Sequence, residues 1–227
     1  MKKRLLAATA IAMISVFTFT ACQQADVVGN VAKTSFEALV TKSADKVTTD
    51  EQNNSFAITS PGGERFLWSK DLKGTPDAAI EFDAAPFVNA GLDASKLPTE
   101  IYTYDQAANK IKIATELGAA KNAAKADVQP AAAFNELVAV NREAIGYHAK
   151  LDHYGVALGN GNMFEWAKDM STNDKDIVFV LNPQPFIDAG VDTAKLTDWV
   201  YADVPVMDEN NKEVLVKKFL KPYELGK

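Results

Sequence analysis

Cysteine and histidine are scarce in this chain, which has one cysteine, Cys22, and two histidines among 227 residues. A single thiol cannot form an intramolecular disulfide, so the fold does not depend on disulfide bonds. Motifs of nucleophilic hydrolases, phosphate-binding loops and zinc proteases are also missing. We therefore expect a protein that is not an enzyme and that has no cofactor and no metal site. The 30 acidic residues could still bring two carboxylates into one cleft, so a hydrolase stays open as a third hypothesis.

Long hydrophobic runs are missing as well, apart from one of about fifteen residues near the N-terminus, which is too short to span a bilayer comfortably. It lies in the segment MKKRLLAATAIAMISVFTFTAC, residues 1–22. Three basic residues precede the run, and small residues separate it from Cys22. This order is typical of a secretory signal peptide, so we predict that residues 1–21 form one.

The end of this segment, Thr20-Ala21-Cys22, resembles the lipobox of bacterial lipoproteins. The resemblance implies that Cys22 is lipidated, that the preceding peptide is removed, and that acyl chains anchor the protein in a membrane. Two or three chains make such an attachment stable. Gln23 follows the cysteine instead of the Asp associated with inner-membrane retention. The resemblance thus implies export to the periplasmic side of the outer membrane, or to the outer face of the cell membrane in a host with one membrane.

Basic residues are outnumbered, with 24 Lys and Arg against 30 Asp and Glu and a net charge of −6. Three basic residues lie in the predicted signal peptide, so the chain from Cys22 on would carry about −9. This balance argues against nucleic acid as a partner and against a basic membrane-binding surface. We expect the membrane to be reached through the acyl chains on Cys22, and the further partner to be an unknown ligand or an envelope protein.

A repeat dominates the rest of the sequence, because PFVNAGLDASKL at residues 86–97 returns as PFIDAGVDTAKL at residues 185–196. The similarity extends in both directions: FLWSKD aligns with FEWAKD at an offset of 98 residues, and Tyr102 aligns with Tyr201 at an offset of 99. Two of the three tryptophans are matched, and we infer a tandem duplication. The predicted parts are the signal peptide at 1–21, a lipidated tether at 22–29, the first module at 30–118, a linker at 119–127 and the second module at 128–227.

The pattern within each module predicts a helix, three strands, a short helix and two strands, which is an α+β fold with an antiparallel sheet. Phe36, Leu39, Val40 and Val47 form one apolar stripe of an amphipathic helix. The segments SPGG and GNGN predict tight hairpins between the first strands. We expect the two modules to be related by a pseudo-twofold axis, and the sequence leaves open whether they form one continuous sheet or two lobes.

The repeated dodecapeptide is interpreted as a structural connector and not as a ligand site. Pro86 is suited to the first turn of a short helix, and Gly91 is suited to a left-handed helix end. Asp93 can cap a second turn, which Leu97 would hold against the core. Every repeated residue thus has a structural reason to be repeated.

The matched tryptophans allow two interpretations. Strand alternation places Trp68 and Lys70 on one face of the first module, and Trp166 and Lys168 on the equivalent face of the second. We favour a core position for both tryptophans, packed on the helix of their own module, with each lysine reaching the rim. The alternative is a paired aromatic wall, formed by the same four residues, for an anionic or aromatic ligand.

Both histidines, His148 and His153, lie near the expected end of the second helix, and a spacing of five would not aim them at one metal ion. Our first hypothesis is a non-catalytic binding protein for a small ligand or an envelope partner. The alternative is a structural or assembly factor of the envelope. An apolar cleft lined by matched residues would favour the first hypothesis, and an exposed edge strand would favour the second.

Overall fold

The computed structural model describes residues 22–70, 78–115, 117, 129–148, 151–169, 176–207, 210 and 212–223. The predicted signal peptide at 1–21 and the predicted linker at 119–127 lie outside the described residues. None of the described helices is long and apolar enough to cross a membrane.

The structure contains two six-stranded antiparallel sheets. The first module contains α1 (Cys22–Lys42), β1 (Val47–Asp50), β2 (Ser55–Thr59), β3 (Arg65–Ser69), β4 (Ala78–Asp83), α2 (Ala85–Asn89), β5 (Tyr102–Asp105) and β6 (Lys110–Ala114). The second contains α3 (Pro130–Val140), β7 (Ile145–His148), β8 (His153–Gly159), β9 (Asn162–Ala167), β10 (Ile177–Leu181), α4 (Gln184–Asp188), β11 (Val200–Met207) and β12 (Glu213–Tyr223). The first sheet has the order β1-β2-β3-β4-β6-β5, and the second has the equivalent order β7-β8-β9-β10-β12-β11.

The predicted α+β fold of two similar modules is confirmed, with one more strand in each module than we expected. Val47 was placed on the helix stripe, but it begins β1, and its counterpart Ile145 begins β7. In both modules a short 3₁₀ turn follows the helix and ends the α-helical spacing. The sequence VTTD that follows α1 is β-branched, and such residues pack better on a pleated surface than on a helix.

The residues of the predicted tether, 22–29, form the first turns of α1. Val28 packs against the core on one side of the helix. A side chain at Gly29 would come into contact with Val138 of α3. The turn that contains Val28 and Gly29 therefore lies against the core and the second module's helix.

One core serves both modules. Phe36 of α1 stacks on Phe134 of α3 with 3.6 Å between ring centroids. Phe66 of β3 stacks on Phe164 of β9 at 4.2 Å, with 2° between the ring planes. Each of these pairs joins two positions that the duplication matches, so the pseudo-twofold axis passes between their members. The question that the sequence left open is answered: two separate sheets share one hydrophobic core.

Each long helix packs on the sheet of the other module. Helix α1 contacts β7, β8 and β9, whereas α3 contacts β3. The hydroxyl of Ser35 donates to the carbonyl oxygen of Ala167 at 3.1 Å. The indole Nε1 of Trp68 donates to the carbonyl oxygen of Pro130 at 2.9 Å. The prediction that the tryptophans meet the helix of their own module was thus incomplete, because both helices cover them.

The dodecapeptides contact each other across the pseudo-twofold axis. The backbone N–H of Asp93 donates to the carbonyl oxygen of Ala189, and that of Asp192 donates to Ala90, both at 2.8 Å. Gly91 and Gly190 have φ angles of 103° and 100°. A Cβ atom on either glycine would lie 3.0 Å from the other's carbonyl oxygen. The segment occurs twice because each copy is the other's binding surface, which is a structural role.

The predicted match between Tyr102 and Tyr201 is not kept in three dimensions. Tyr102 is buried and contacts Phe186 of the second module, whereas Tyr201 is 37% exposed. The reciprocal position is taken by Trp199, which is buried against Phe82 and Phe87 of the first module. Tyr201 pairs with Phe219 as Tyr104 pairs with Ile111, so Tyr201 occupies the position of Tyr104, two residues away from the sequence match.

Candidate functional site on the second sheet

The predicted aromatic wall does not form a surface. Trp68 and Trp166 are both 0% exposed and lie within 5.6 Å of Phe36. The core interpretation is confirmed, and the ligand-wall alternative was wrong because neither ring reaches a cleft. The two lysines of that alternative form ion pairs instead: Lys70 pairs with Glu51 at 3.3 Å, and Lys168 pairs with Asp152 at 3.6 Å.

The outer faces of the two sheets, which point away from the shared core, differ in chemistry. On the first sheet, the guanidinium of Arg65 binds the carboxylates of Asp50 at 2.7 Å and Glu81 at 2.9 Å. Burial opposes charge on Arg65, but its bonds to both carboxylates outweigh burial and raise its pKa. Beside this ion network lies a buried row of Ala57, Leu67 and Ala79.

On the outer face of the second sheet, an apolar residue replaces the arginine of the first sheet and a charged residue replaces its leucine. Glu165 occupies the position of Leu67, and Met163 occupies the position of Arg65. Met163 packs with other apolar residues of this outer face, so the ion network of the first sheet has no equivalent here. The outward rows of the second sheet are Gly155, Glu165 and Val178, followed by Ala157, Met163 and Val180.

Glu165 lies between the two histidines of the chain. His148 and His153 face each other as a cross-strand pair of β7 and β8. Their Nδ1 atoms lie 3.8 Å and 3.4 Å from Oε2 of Glu165, whose side chain is only 3% exposed. A Cβ atom on Gly155 would lie 3.0 Å from Cγ of Glu165, so the missing side chain at Gly155 makes room for the carboxylate.

This geometry corrects the expected placement of the histidines at a helix end. Both lie on strands, and a spacing of five across a tight hairpin brings their side chains to the same face of the sheet. The strands could have been predicted from the sequence. Apolar and polar residues alternate around Tyr147 and Tyr154, and such alternation is typical of a strand.

The electrostatics of this His148–His153–Glu165 cluster favour an ionised carboxylate. Burial alone would raise the pKa of Glu165, but the two imidazoles outweigh burial and hold its pKa below the ordinary value of 4.5. Oε2 of Glu165 and the Nδ1 atoms of both histidines are buried and make no hydrogen bond within the described part of the chain. Among the described residues, no group of three or more His, Cys, Asp or Glu side chains is placed to hold a metal ion.

A two-stranded arm projects from the same sheet, and the first sheet has no arm of this length. β11 and β12 have eight and eleven residues, whereas β5 and β6 have four and five. β10 pairs with β12 only over residues 219–223, so residues 213–218 pair with β11 alone. Three apolar side chains on the arm and its base are widely exposed: Leu215 at 67%, Val200 at 53% and Val216 at 36%.

Buried and partly buried lysines hold the arm in place. Lys218 is buried, and its Nζ donates to the carbonyl oxygen of Gly161 in the β8–β9 turn at 2.8 Å. Burial lowers the pKa of Lys218. On the opposite face, Lys217 pairs with Asp203 at 2.9 Å and lies over the ring of Tyr201. The arm is thus fixed at its base while its apolar residues face outward.

A comparison of the chain with protein families, curated proteins and solved structures finds no match in any of the three. The functional interpretation therefore depends on the geometry of the second sheet and on the N-terminal sequence.

Proposed function

We propose that this protein is an exported, lipid-anchored protein of the bacterial cell envelope that binds another protein, without catalysis, through the arm of its second sheet. The observation that carries the proposal is the exposure of Leu215 and Val216 on a ribbon of only two strands, and of Val200 at its base. A two-stranded ribbon is marginally stable in water and needs a third strand or a packed face. A partner that covers the arm would supply both.

The free edge of β11 supports strand addition as the binding mode. β11 is the last strand of the second sheet, so its outward main-chain groups have no strand neighbour among the described residues. An extended segment of a partner can pair with such an edge, while its side chains pack on Leu215 on one face of the ribbon or on Val200 and Val216 on the other. Pro205 has no N–H, which restricts the pairing to the part of β11 before it and protects the rest of the edge from unwanted association.

Binding of a small ligand between the modules has less support. That hypothesis requires an apolar cleft lined by the matched aromatic residues, and those residues fill a closed core instead. The assembly-factor hypothesis gains support from the exposed edge strand, and it is compatible with the proposed partner binding. Lipid anchoring rests on the N-terminal resemblance to bacterial lipoproteins.

Site-specific photocrosslinking in the native host tests the proposal. A photoreactive amino acid at Leu215 or Val216 should give one discrete crosslinked protein product in intact cells. The matched controls carry the same amino acid at Val88, which is 41% exposed on α2, and at Thr103 on the edge strand of the first sheet. Discrete products from the arm alone are expected, whereas no product from the arm, or equal products from all positions, would contradict partner binding there.

A further inference from the structure

Helix α1 has an N-terminal extension that the duplicated module does not require. Phe36 and Phe134 are equivalent, so Pro130, which begins α3, corresponds to Ala32. Gln129 already has an extended backbone, so α3 does not continue before Pro130. Within the described residues, the ten residues of α1 from Cys22 to Val31 thus extend beyond the part of the helix that α3 matches.

The extension is held in a fixed direction by its inner side. Val28 packs against the core, and Ala32, one turn further on, is fully buried. A helix rises 1.5 Å per residue, so Cys22 lies about 15 Å from the start of the core helix. A flexible tether of the same length could reach about twice as far. An acyl chain on Cys22 would therefore hold the protein at a short distance and in a defined orientation.

The outer side of the same helix carries an uncharged stripe. Val27 is 61% exposed and Val31 is 41% exposed, and a spacing of four places them on one face. Thr34 and Ala38 continue this face and are also exposed. Apolar residues on an exposed helix face are typical of helices that lie in the membrane interface.

We infer that the outer face of α1, defined by Val27, Val31, Thr34 and Ala38, lies on the phospholipid bilayer next to the acyl chains of Cys22. This inference rests on the proposed lipidation of Cys22. The bilayer is the occupant that the structure favours, because the stripe begins five residues from the anchored residue on the same helix, which packs on the core through Val28. The acyl chains on Cys22 and the stripe thus give the protein two membrane contacts on one helix.

Partition of a chemically acylated protein between water and vesicles tests the inference. The chain from Cys22 on, which the proposed processing would leave, is coupled through its only thiol to a single-chain alkyl maleimide. One acyl chain gives only marginal membrane binding, so a second contact is measurable. Loss of two apolar contacts in Val27→Ser/Val31→Ser should weaken partition into phosphatidylethanolamine–phosphatidylglycerol vesicles about tenfold.

The matched control is Val88→Ser/Val140→Ser, which removes two valines exposed at 41% and 43% outside the stripe. This control should partition like the unmodified sequence, and circular dichroism should show that both variants are folded. Equal partition of the stripe variant and the unmodified sequence would overturn the inference. So would photocrosslinks from Val31 to a protein and not to lipid in native membranes. Because the acyl chain is supplied chemically, these results do not depend on host lipidation, which the mass of the native protein tests separately.

Discussion

The first sheet presents an ion network on its outer face, whereas the second sheet presents a buried carboxylate, an apolar surface and an arm. Both sheets have the same strand order, and both contribute the same aromatic residues to the core. Arg65 and Leu67 of the first sheet correspond to Met163 and Glu165 of the second. After a duplication, the inner positions are constrained by their packing against each other, but the outer positions are free to diverge. The difference between the two modules is therefore concentrated on their outer faces and on the arm.

The largest effects should come from the shared inner face. Trp68→Ala and Trp166→Ala should each lower the free energy of unfolding by about 3–5 kcal/mol, because each removes a fully buried indole. The milder Trp→Phe changes should lower the free energy of unfolding by different amounts in the two modules. Trp68→Phe leaves the carbonyl oxygen of Pro130 without its donor, whereas Nε1 of Trp166 has no hydrogen-bond partner in the described structure.

Urea unfolding followed by circular dichroism measures these four variants. Trp68→Phe should be less stable than Trp166→Phe by about 1 kcal/mol or more. An equal loss in the two Trp→Phe variants would show that the bond to Pro130 does not contribute. Small losses in both Trp→Ala variants would contradict the core position of the tryptophans.

The contact between the dodecapeptides should be the next most sensitive feature. Gly91→Ala places a Cβ atom 3.0 Å from the carbonyl oxygen of Gly190, at a φ of 103° that side chains rarely adopt. We expect a loss of about 1–3 kcal/mol in the free energy of unfolding. Gly63→Ala is the control, because its φ is 86° but no atom lies within 4 Å of the added Cβ. Thermal unfolding measures both variants. If Gly91→Ala and Gly63→Ala lose the same stability, the loss comes from backbone strain alone and the contact between the modules does not contribute.

The cluster around Glu165 should make the second sheet sensitive to acid. The folded-state pKa of Glu165 lies below the ordinary value of 4.5, so its stabilising contribution is complete above pH 4.5 and is lost as the pH falls through the folded-state pKa. A quadruple variant, His148→Ser/His153→Ser/Gly155→Ala/Glu165→Leu, replaces the cluster by neutral residues. At pH 7 this variant should be as stable as the unmodified protein or more stable by about 1 kcal/mol.

Urea unfolding between pH 3 and pH 7 measures this dependence. The free energy of unfolding of the quadruple variant should fall less on acidification below pH 4.5 than that of the unmodified protein. Glu100→Gln, which removes an exposed carboxylate, is the control and should keep the full acid dependence. If the quadruple variant loses as much stability as the unmodified protein, Glu165 is not the source of the acid sensitivity.

The sequence predicted the parts of the fold that depend on repetition, and it missed those that depend on contacts between the modules. The two FxW strands, the glycine turns and the dodecapeptide were recognised because both copies retain them. Other contacts depend on how the modules meet, which no local pattern encodes. Examples are the hydrogen bond from Ser35 to Ala167 and the contacts of Tyr102 and Trp199 with the opposite module. The histidine–glutamate cluster was missed because its members come from three strands, and β7 was read as helix. The exposure of the arm depends on where β10 ends, which no local pattern of the sequence encodes.

The smallest stability change is expected at the base of the arm. Burial lowers the pKa of Lys218, so the charged form disfavours folding, while its bond to Gly161 offsets part of that effect. Lys218→Met keeps an unbranched side chain without the charge, and it should change the free energy of unfolding at pH 7 by no more than about 1 kcal/mol. As the pH rises toward 10.5, the unmodified protein should gain stability relative to this variant. The reason is that unfolded Lys218 keeps its proton up to about its ordinary pKa of 10.5, whereas folded Lys218 releases it earlier.

Comparison of the two proteins in urea between pH 7 and pH 10.5 isolates Lys218, because tyrosines that titrate in this range are common to both. Lys217→Met is the matched control, since Lys217 is half-exposed and pairs with Asp203. Its difference from the unmodified protein should not change between pH 7 and pH 10.5. If Lys218→Met follows Lys217→Met at every pH, the buried lysine does not influence folding. If Lys218→Met instead abolishes the arm crosslinks while stability is kept, the bond to Gly161 serves to position the arm for its partner.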